Sequence, residues 1–549
     1  MRPLLLTLAF IATVAAAEPP RLAVVISIDQ FRADYLERFH PYFAAGGFRR
    51  LLEGGAVYSE CHYRNALTAT APGHATIVSG VYPEMHGIIA NEWIDPETWR
   101  QSAAVSDPRA PLVGLMARAG RSPGGVLEAR EGASPRRFLA TTVGDQLKLR
   151  HRERSRVIAV ANKDRAAILL GGRLADGAYW MHESRFVTST YYRDALPAWV
   201  EAFNAEGRID QAFGQEWTRL LDPSVYDAVQ GPDAAPGEEP RLGLGVTFPR
   251  RIDGGTPEIS SKFHEAYRLA PASSELLGLF AQRAITAEQL GRHDATDLLC
   301  IGFSQIDYVG HSFGPDSHEV MDAVLRLDRV LAALLDFLDT ELGTNNYTVV
   351  VTSDHAVSPL PERVQGFERG IRAGRLDGPA LDRAVEDALT DAFGPVPGNA
   401  YWASRDAYGY RLRPETLAAR GVTPSRAATV AKAALLRSPQ IAVAWTRDEL
   451  TDPSLAHGPY LSEWRRSYFP PRSPDVVFSP IPYVIDRSPA GTNHGSPYDY
   501  DNHVPLLWFG AGVVPAAHSA QVAVEDIAPT LASLLGVPRP PEALGRRLF

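Results

Sequence analysis

Four short apolar stretches that each end abruptly at polar residues constrain the fold of this chain more than any other feature. They are rich in β-branched residues and read LAVVISI (22–28), VIAVA (157–161), LLCIGFSQI (298–306) and YTVVVTS (347–353). Continuous apolar runs of this length predict strands that are buried on both faces. Amphipathic helical patterns lie between or after them, at 274–290 with Ser274 as a candidate N-cap, at 317–342 and at 526–535. The sequence therefore predicts an α/β fold with a central, largely parallel sheet sandwiched between helices.

The length of the chain predicts additional segments around this sheet. A single core of 549 residues would be unusually large, although the composition, 45% hydrophobic and 22% charged, is that of an ordinary globular protein. Two stretches, at about 173–270 and 360–490, are rich in Gly, Pro and aromatic residues and break the strand–helix rhythm. We expect both to be cap insertions within one catalytic domain over residues 18–549. The net charge of −9 argues against a dedicated nucleic-acid partner, which would need a broad basic face.

The N-terminus has the pattern of a cleaved secretory signal peptide at residues 1–17. Arg2 supplies the positive region, an apolar run follows at 4–14, and small residues precede the expected cleavage after Ala17. The apolar run is shorter than the roughly 20 residues that a membrane-spanning helix needs. We therefore expect a periplasmic or secreted protein without a membrane span.

Six acidic and imidazole side chains lie just past the ends of the predicted strands or in a glycine-rich loop. They are Asp29, Asp307, His311, Asp354, His355 and His494. The carboxyl ends of strands are where open α/β sheets bind their ligands, and one helical turn would direct Asp307 and His311 at the same point. Singly, such an aspartate is usually a turn residue and such a histidine is usually solvated. Together, three carboxylates and three imidazoles form a donor set that suits Zn²⁺ in a hydrolytic site.

The segment TATAPGHATIVSGVYPEMHGIIANEW at 68–93 resembles the threonine-nucleophile branch of the alkaline phosphatase superfamily. That branch holds the phosphate-irrepressible alkaline phosphatases and the nucleotide pyrophosphatase/phosphodiesterases. The resemblance rests on T-x-P-G-H from Thr70 to His74, on HGIIAN ending at Asn91, and on SIDQFRADY around Asp29. It continues in the family's order through IDYVGHSFGP (306–315), TSDHA (352–356) and NHGSPYDYDNHVPLLWFG (493–510). It implies an alkaline-phosphatase-like core and a hydrolase that acts through a phosphothreonine.

The resemblance also implies a role for each site residue. One zinc ion would be held by Asp307, His311 and His494, and a second by Asp29, Asp354, His355 and the oxygen of Thr70. Thr70 matches the nucleophile and Asn91 matches a donor to a phosphoryl oxygen. Two metals about 4 Å apart can hold the attacking and leaving oxygens of an in-line displacement. Thr68 and Thr76 do not occupy the motif position, and we interpret His74, His86 and His503 as structural.

Lys163 and Arg165 favour phosphate monoesters as substrates. They form the K-x-R pair of the phosphate-irrepressible monoesterases, where it resembles a clamp on the phosphoryl group. The chain has only four lysines, so a lysine at a predicted strand end points more strongly to a function than it would in a lysine-rich chain. Alternate residues of an extended strand point the same way, so both cations could face one pocket. A monoester dianion needs this added charge, because the ligand carboxylates and the alkoxide already balance two zinc ions.

Several alternatives remain open from the sequence. A phosphodiesterase or nucleotide pyrophosphatase would share nearly every site residue, and a non-catalytic zinc- or phosphate-binding protein would keep the metals without turnover. A sulfatase is disfavoured, since CHYR at 61–64 lacks the context of a formylglycine precursor. The pairing of Cys61 with Cys300 and the oligomeric state are also open. The favoured prediction is a two-zinc alkaline phosphatase that releases inorganic phosphate from small phosphate esters.

Overall fold

The structure, a computed structural model, describes residues 18–115, 132–367, 370–396, 398, 400–487 and 489–549, so the predicted signal peptide lies outside the described residues. Within these ranges, twelve strands form one large sheet. From edge to edge they are Ala516–His518, Ala56–His62, His503–Gly510, Tyr347–Thr352, Leu22–Ile28, Asp297–Phe303, Val157–Ala161, Gly177–His182, Arg185–Ser189, Ser106–Val113 and Gly132–Ala133, with Val522–Ala523 also paired to Ala56–His62. Three small two-stranded sheets join Glu92–Ile94 to Gln101–Ala103, Glu216–Trp217 to Arg250–Arg251, and Gly374–Arg375 to Val484–Ile485.

The middle of the large sheet is parallel. Leu22–Ile28 pairs in parallel with Asp297–Phe303 on one side and with Tyr347–Thr352 on the other. The parallel run continues through Val157–Ala161 to Gly177–His182. Pairing becomes antiparallel beyond both ends of this run. The predicted α/β fold with a largely parallel central sheet is confirmed.

Helices cover both faces of the sheet. Alternate residues of its strands accordingly belong to two different apolar cores, one on each face. Val24 and Ile26 pack on one face, whereas Ala23 and Val25 pack on the other. The α-helices are Tyr35–Arg38, Phe48–Gly54, Thr70–Ser79, Pro83–His86, Val143–His151, Asp164–Gly171, Ala198–Ala205, Pro223–Gln230, Ser261–Leu269, Ala272–Ala287, Gln305–Phe313, His318–Leu342, Pro361–Phe367, Gly378–Phe393, Pro414–Arg420, Pro424–Leu435, Arg447–Thr451, Leu461–Ser467, Asp499–Asn502 and Ile527–Leu534. None of these described helices combines the length and the apolar character needed to cross a membrane.

The predicted helix starts are right in one case and wrong in another. Ser317 caps His318–Leu342, since its hydroxyl accepts the N–H of Val320. Ser274 is not a cap, because Ala272–Ala287 begins two residues before it. Pro271 occupies the cap position of that helix, and the fixed φ of proline suits a helix start.

The two predicted cap regions differ in structure. Residues 403–480 contain a four-stranded antiparallel sheet, formed by Ala403–Asp406, Gly409–Leu412, Ile441–Thr446 and Val476–Pro480. It has its own apolar core, which includes Leu389, Leu435 and Phe478. The first region, at about 173–270, was predicted to be an insertion, but its strands at 177–182 and 185–189 belong to the main sheet. Their aromatic-rich sequences, GAYWMH and RFVTS, lack the continuous β-branched runs of the central strands. The outer limits of the caps stay a prediction.

Candidate active site

The six predicted ligand residues meet in two adjacent groups. One group is Asp29, Asp354 and His355, and the other is Asp307, His311 and His494. Within each group, one nitrogen or oxygen atom per residue lies within 4.8 Å of the others. The rings of His355 and His494 stack with their centroids 3.6 Å apart, so the two groups touch.

The elements that carry these residues end at the same edge of the sheet. Asp29 directly follows its strand, and Asp354 and His355 follow Tyr347–Thr352 after one residue. Because the two strands are parallel neighbours, their carboxyl ends meet.

Asp307 and His311 lie on a helix and not at the end of a strand. The predicted strand at 298–306 is too long, because the strand ends at Phe303 and the helix Gln305–Phe313 begins two residues later. The predicted effect of one helical turn is correct, since His311 Nε2 lies 3.2 Å from Asp307 Oδ1. The third member of the group, His494, is in a loop, as expected.

All three histidines are held in the same tautomer. Each places its Nδ1 within hydrogen-bond distance of a backbone carbonyl: His311 to Thr492 at 2.9 Å, His355 to Ala356 at 2.9 Å and His494 to Thr68 at 2.7 Å. A carbonyl only accepts, so the proton is on Nδ1 and Nε2 keeps its lone pair. The Nε2 of His355 faces carboxylate oxygens, 3.4 Å from Asp29 and 3.6 Å from Asp354. Lone pairs that face each other in this way call for a cation between them.

The residues of both groups fit a divalent metal ion. Among the described residues, Asp29 Oδ1, Asp354 Oδ2 and His355 Nε2 are buried without a hydrogen-bond partner. Buried polar atoms are normally satisfied, so this concentration of unsatisfied acceptors needs an explanation. Carboxylate oxygens and imidazole nitrogens, with Nδ1–H bonded to a carbonyl, are the ligand set that Zn²⁺ takes in proteins.

Two further side chains join the groups. Lys163 Nζ lies 2.7 Å from Asp29 Oδ2 and also pairs with Asp307. Gln30, which sequence reasoning missed, donates its backbone N–H to Asp354 Oδ1 and its amide to Asp307 Oδ1 at 2.8 Å. It has a φ of 65°, in the left-handed region, and its position directly after Asp29 is the only signal that could have drawn attention to it.

Burial and mutual charge shift the pKa values of the carboxyl groups. Burial, with the charges of Asp307 and Asp354, raises the pKa of Asp29 to about 7. Burial raises the pKa of Asp354 to about 6. Burial would also raise the pKa of Asp307, but the nearby Lys163 ammonium and the His311 ring hold it well below its usual range. A cation is therefore stabilising wherever these carboxylates are all ionised.

Burial also favours the neutral form of two of the imidazoles, because it is the largest cause that lowers the pKa of His355 and of His494. Neutral imidazole is the form that binds metals.

Thr70 is the first residue of the buried helix Thr70–Ser79, at its positive end. Two residues before it, the carbonyl of Thr68 accepts the Nδ1–H of His494. Three residues after it, Gly73 lies so close to Asp354 that a Cβ atom there would stand 2.2 Å from the Asp354 carbonyl oxygen. The start of this helix is therefore held against both ligand groups.

Asn91 lies beside the same helix start. Its Oδ1 accepts the backbone N–H of Ala71 at 2.8 Å, which leaves its NH₂ group free to donate to a ligand. The rival Thr76 hydroxyl donates to the Pro72 carbonyl within the helix and contacts His86. Its hydroxyl group is thus engaged away from the two ligand groups.

The predicted arrangement of Lys163 and Arg165 is wrong in its local structure. They are not alternate residues of a strand, because the strand ends at Ala161 and Lys163 occupies the position just before the helix Asp164–Gly171. Arg165 is the second residue of that helix. Burial lowers the pKa of the Lys163 ammonium, but the Asp29 and Asp307 carboxylates raise it above its usual value. The charge of Arg165 is near enough to oppose this rise.

The remaining predicted residues are not members of the two groups, although His74 contacts one of them. His74 donates its Nδ1–H to the Thr70 carbonyl at 2.7 Å, and the same nitrogen lies 3.3 Å from Asp354 Oδ2. Cys61 and Cys300 are buried free thiols, so they do not pair. The second cap contributes Tyr408, whose hydroxyl donates to the His494 carbonyl at 2.5 Å and so helps to position that loop.

Comparisons with known proteins agree with this arrangement. A family model described as type I phosphodiesterase/nucleotide pyrophosphatase matches residues 23–480. Alkaline phosphatase PafA of Elizabethkingia meningoseptica is 32% identical over 539 residues, which cover 97% of this chain and 94% of that protein. The crystal structure of wild-type PafA matches with a TM-score of 0.87 at 31% identity and covers 97% of this chain and 99% of that one. A protein of Myroides odoratus named calcium-transporting ATPase is 32% identical over 539 residues, or 96% of this chain and 94% of that protein.

The PafA sequence and structure each match 97% of the chain, and the family model matches residues 23–480. They confirm the resemblance that the T-x-P-G-H, DYVGH and SDHA segments indicate. The chain therefore belongs to the type I phosphodiesterase/nucleotide pyrophosphatase family of the alkaline phosphatase superfamily, and within it groups with the alkaline phosphatases.

Proposed function

We propose that this enzyme is a phosphomonoesterase that transfers the phosphoryl group of small phosphate esters to Thr70 and then to water. The observation that carries the proposal is the position of Thr70. The carbonyl of Thr68, two residues before Thr70, accepts a hydrogen bond from His494, and Gly73 on the helix of Thr70 lies against Asp354. An oxygen nucleophile at this point adjoins both ligand groups.

We propose two zinc ions as the cofactor. Asp307, His311 and His494 would hold one, and Asp29, Asp354, His355 and the Thr70 oxygen would hold the other. The support is chemical, because in both groups Nε2 lone pairs and carboxylate oxygens converge. When bound, such a pair of ions stabilises the attacking and leaving oxygens of an in-line phosphoryl displacement.

The remaining steps are assigned to groups of this chain. The Thr70 hydroxyl loses its proton and its oxygen bonds to phosphorus while the bond from phosphorus to the ester oxygen breaks. The departing ester oxygen takes up a proton, which gives a phosphothreonine and an alcohol. Water then attacks the same phosphorus, the Thr70 oxygen leaves and regains a proton, and inorganic phosphate is released. The amide of Asn91 donates to a phosphoryl oxygen, and the positive end of the helix favours the anion.

Lys163 supports a preference for monoesters. Its ammonium is buried between Asp29 and Asp307 and joins the two ligand groups, so a phosphoryl group bound there is within its reach. Arg165, two residues further on, adds a second positive charge nearby. A monoester dianion carries one more negative charge than a diester, so it gains more from both cations.

We also propose that the enzyme is exported to the periplasm or the medium. The support is the pattern of residues 1–17, with a positive start, an apolar run and small residues before Glu18. N-terminal sequencing of the mature protein, expected to begin at Glu18, tests this proposal, and a retained Met1 would contradict it.

The test of the activity compares kcat/KM for p-nitrophenyl phosphate and bis(p-nitrophenyl) phosphate. The zinc-loaded enzyme should prefer the monoester by at least about 10²-fold, and chelation should abolish both activities until Zn²⁺ is restored. Lys163→Ala and Arg165→Ala should each lower the monoester value by about 10-fold or more and the diester value by less. Lys262→Ala, which removes an exposed lysine, is the matched control and should leave both values unchanged.

A preference for the diester would contradict the monoesterase proposal. It would favour the phosphodiesterase alternative, which the description of the matching family model also supports. Zinc binding without turnover of either ester would instead indicate a non-catalytic zinc-binding protein. Equal losses on both esters in the Lys163 and Arg165 variants would contradict the role of these cations in substrate choice.

A further inference from the structure

Outside the active site, three side chains that can bind metals gather on the ladder between Ala56–His62 and His503–Gly510. Glu60 and His62 lie on either side of the buried Cys61, at the end of a register irregularity between Tyr58 and Cys61, and both are more exposed than Cys61. His503 lies directly opposite His62 in the antiparallel register. One ligand atom from each of the three residues lies within 4.8 Å of the other two. The ladder thus brings two imidazoles and a carboxylate to one point.

The hydrogen bonds of His62 leave its Nε2 free to bind a metal. Asn502 donates its Nδ2 to the Pro497 carbonyl at 3.0 Å, which fixes the orientation of the amide. The Asn502 oxygen therefore faces His62 Nδ1, at 3.0 Å. An amide oxygen only accepts, so the proton of a neutral His62 is on Nδ1 and the lone pair is on Nε2.

His503 is held in the complementary tautomer. Its Nε2 donates to the Ser59 carbonyl at 2.7 Å, so Nδ1 keeps the lone pair. The rings of His62 and His503 stack with centroids 4.4 Å apart and planes 9° from parallel. An imidazole lone pair lies in the plane of its ring, so one ring has to turn out of the stack before both rings bind the same ion. Each ring has one nitrogen engaged by the protein and one available. This is the pattern seen in metal-binding histidines, whose second nitrogen donates to a carbonyl, carboxylate or water.

The carboxylate completes the set at a suitable distance. Glu60 Oε2 lies 3.4 Å from His62 Nε2. Two ligand atoms that are each about 2.0 Å from a tetrahedral zinc ion are about 3.3 Å apart. The Glu60 side chain is 47% exposed and that of His62 is 14% exposed, so an ion can enter from solvent and keep a water ligand.

We propose that Glu60, His62 and His503 form a third metal site, which binds Zn²⁺ or a similar divalent transition ion and shares no ligand with the active site. An ion there ties the strand near the start of the chain to the strand that follows the His494 loop. Without an ion, a protonated His62 paired with Glu60 would produce a similar contact. The two cases differ in the number of ions bound.

The experiment measures bound zinc in the full-length, zinc-loaded enzyme. Equilibrium dialysis against buffered free Zn²⁺, followed by elemental analysis, gives the number of ions per chain at each concentration. Wild type should bind one more equivalent than His62→Gln and than Glu60→Gln. The matched control His457→Gln, which removes an exposed loop histidine, should equal wild type. Turnover of p-nitrophenyl phosphate should change less than twofold in all of these variants.

Copper provides a second readout. Cu²⁺ binds nitrogen ligands more tightly than Zn²⁺ does, so one equivalent added to the zinc-loaded enzyme should replace the solvent-accessible zinc ion and give an EPR spectrum with splitting from two nitrogen nuclei. This signal should be lost in His62→Gln. Equal zinc content in wild type, His62→Gln and Glu60→Gln at every concentration would overturn the proposal. Because the measured quantity is a difference of one ion, it does not depend on how many ions the active site holds. Glu60→Gln alters an exposed side chain, so the test survives if His62→Gln does not fold.

Discussion

His311, His355 and His494 each donate an Nδ1–H to a backbone carbonyl and present Nε2 to a carboxylate. The chemical behaviour of the site follows from this detail, because it fixes which nitrogen has a lone pair. The sequence pattern predicts that these residues meet, but it carries no information about which carbonyl each ring contacts. The carbonyls of Thr492 and Thr68, which His311 and His494 contact, lie far away along the chain, whereas His355 contacts the carbonyl of its neighbour Ala356.

Replacement of Thr70 by alanine tests the nucleophile directly. Thr70→Ala should lower turnover of p-nitrophenyl phosphate on the order of 10³-fold or more, because the attacking oxygen is removed. Zinc content and the affinity for inorganic phosphate should change far less, since the other ligands remain. Thr68→Ala is the matched control. It removes a rival hydroxyl but keeps the carbonyl that binds His494, so its activity should stay within a few-fold of wild type. Wild-type turnover by Thr70→Ala would overturn the assignment.

Some residues of the site were predictable from the sequence and others were not. Asp29 and Asp354 follow obvious strands, and the four-residue spacing of Asp307 and His311 places them on one helical face. Gln30 was not predictable, because its two hydrogen bonds depend on a left-handed backbone that no neighbouring residue signals. The contact of Lys163 with two carboxylates depends in the same way on tertiary packing.

At the scale of elements, the approach of the helix Thr70–Ser79 to the strand end at Asp354 depends on one glycine. Gly73→Ala places a Cβ atom 2.2 Å from the Asp354 carbonyl oxygen, so the helix or the loop has to move. We expect a loss of stability of about 1–3 kcal/mol. We also expect kcat/KM to fall by about 10²-fold, because such a shift misplaces both Thr70 and a ligand.

The control for this change is another glycine in the same protein. Gly374→Ala adds a Cβ atom that meets nothing within 4 Å, and Gly374 has no positive φ. Denaturant unfolding and p-nitrophenyl phosphate assays of both variants separate the effect of close packing from that of the substitution itself. Wild-type activity in Gly73→Ala would show that the contact does not position the site.

Long sequence patterns predict which helices and strands are present better than they predict where each one begins and ends. The helix at 318–342 follows its apolar stripe over its whole length. In contrast, the strand predicted at 298–306 ends at Phe303. The predicted strand is too long because Ile306, an apolar residue of the next helix, continues the apolar pattern of the strand. A periodicity cannot locate a boundary when apolar residues occur on both sides of it.

At the scale of the whole molecule, a buried cluster makes stability depend on pH. Arg250 donates to Glu319 at 2.9 Å, and one oxygen each of Glu319 and Glu238 is buried without a hydrogen-bond partner among the described residues. Burial, with the charge of Glu319, raises the pKa of Glu238 from 4.5 to about 8. The folded chain therefore keeps a proton that the unfolded chain loses. This contribution to stability is complete below pH 4.5 and is lost as the pH rises to about 8.

Glu238→Gln keeps this position neutral at every pH. Its unfolding free energy, relative to that of wild type, should rise by about 4 kcal/mol between pH 5 and pH 9. Urea unfolding of the zinc-loaded proteins at the two pH values measures the change. Glu37→Gln, at an exposed glutamate, should show no such trend. If the unfolding free energies of Glu238→Gln and wild type differ by the same amount at both pH values, the raised pKa of Glu238 is contradicted.

The place of the first strand in the sheet has a consequence for the synthesis of the protein. Leu22–Ile28 lies between Asp297–Phe303 and Tyr347–Thr352, both of which are made much later. A ribosome that adds about 5–20 residues per second leaves this strand without either neighbour for tens of seconds. His494 emerges later still. The order of translation therefore keeps the enzyme inactive until most of the chain has been made.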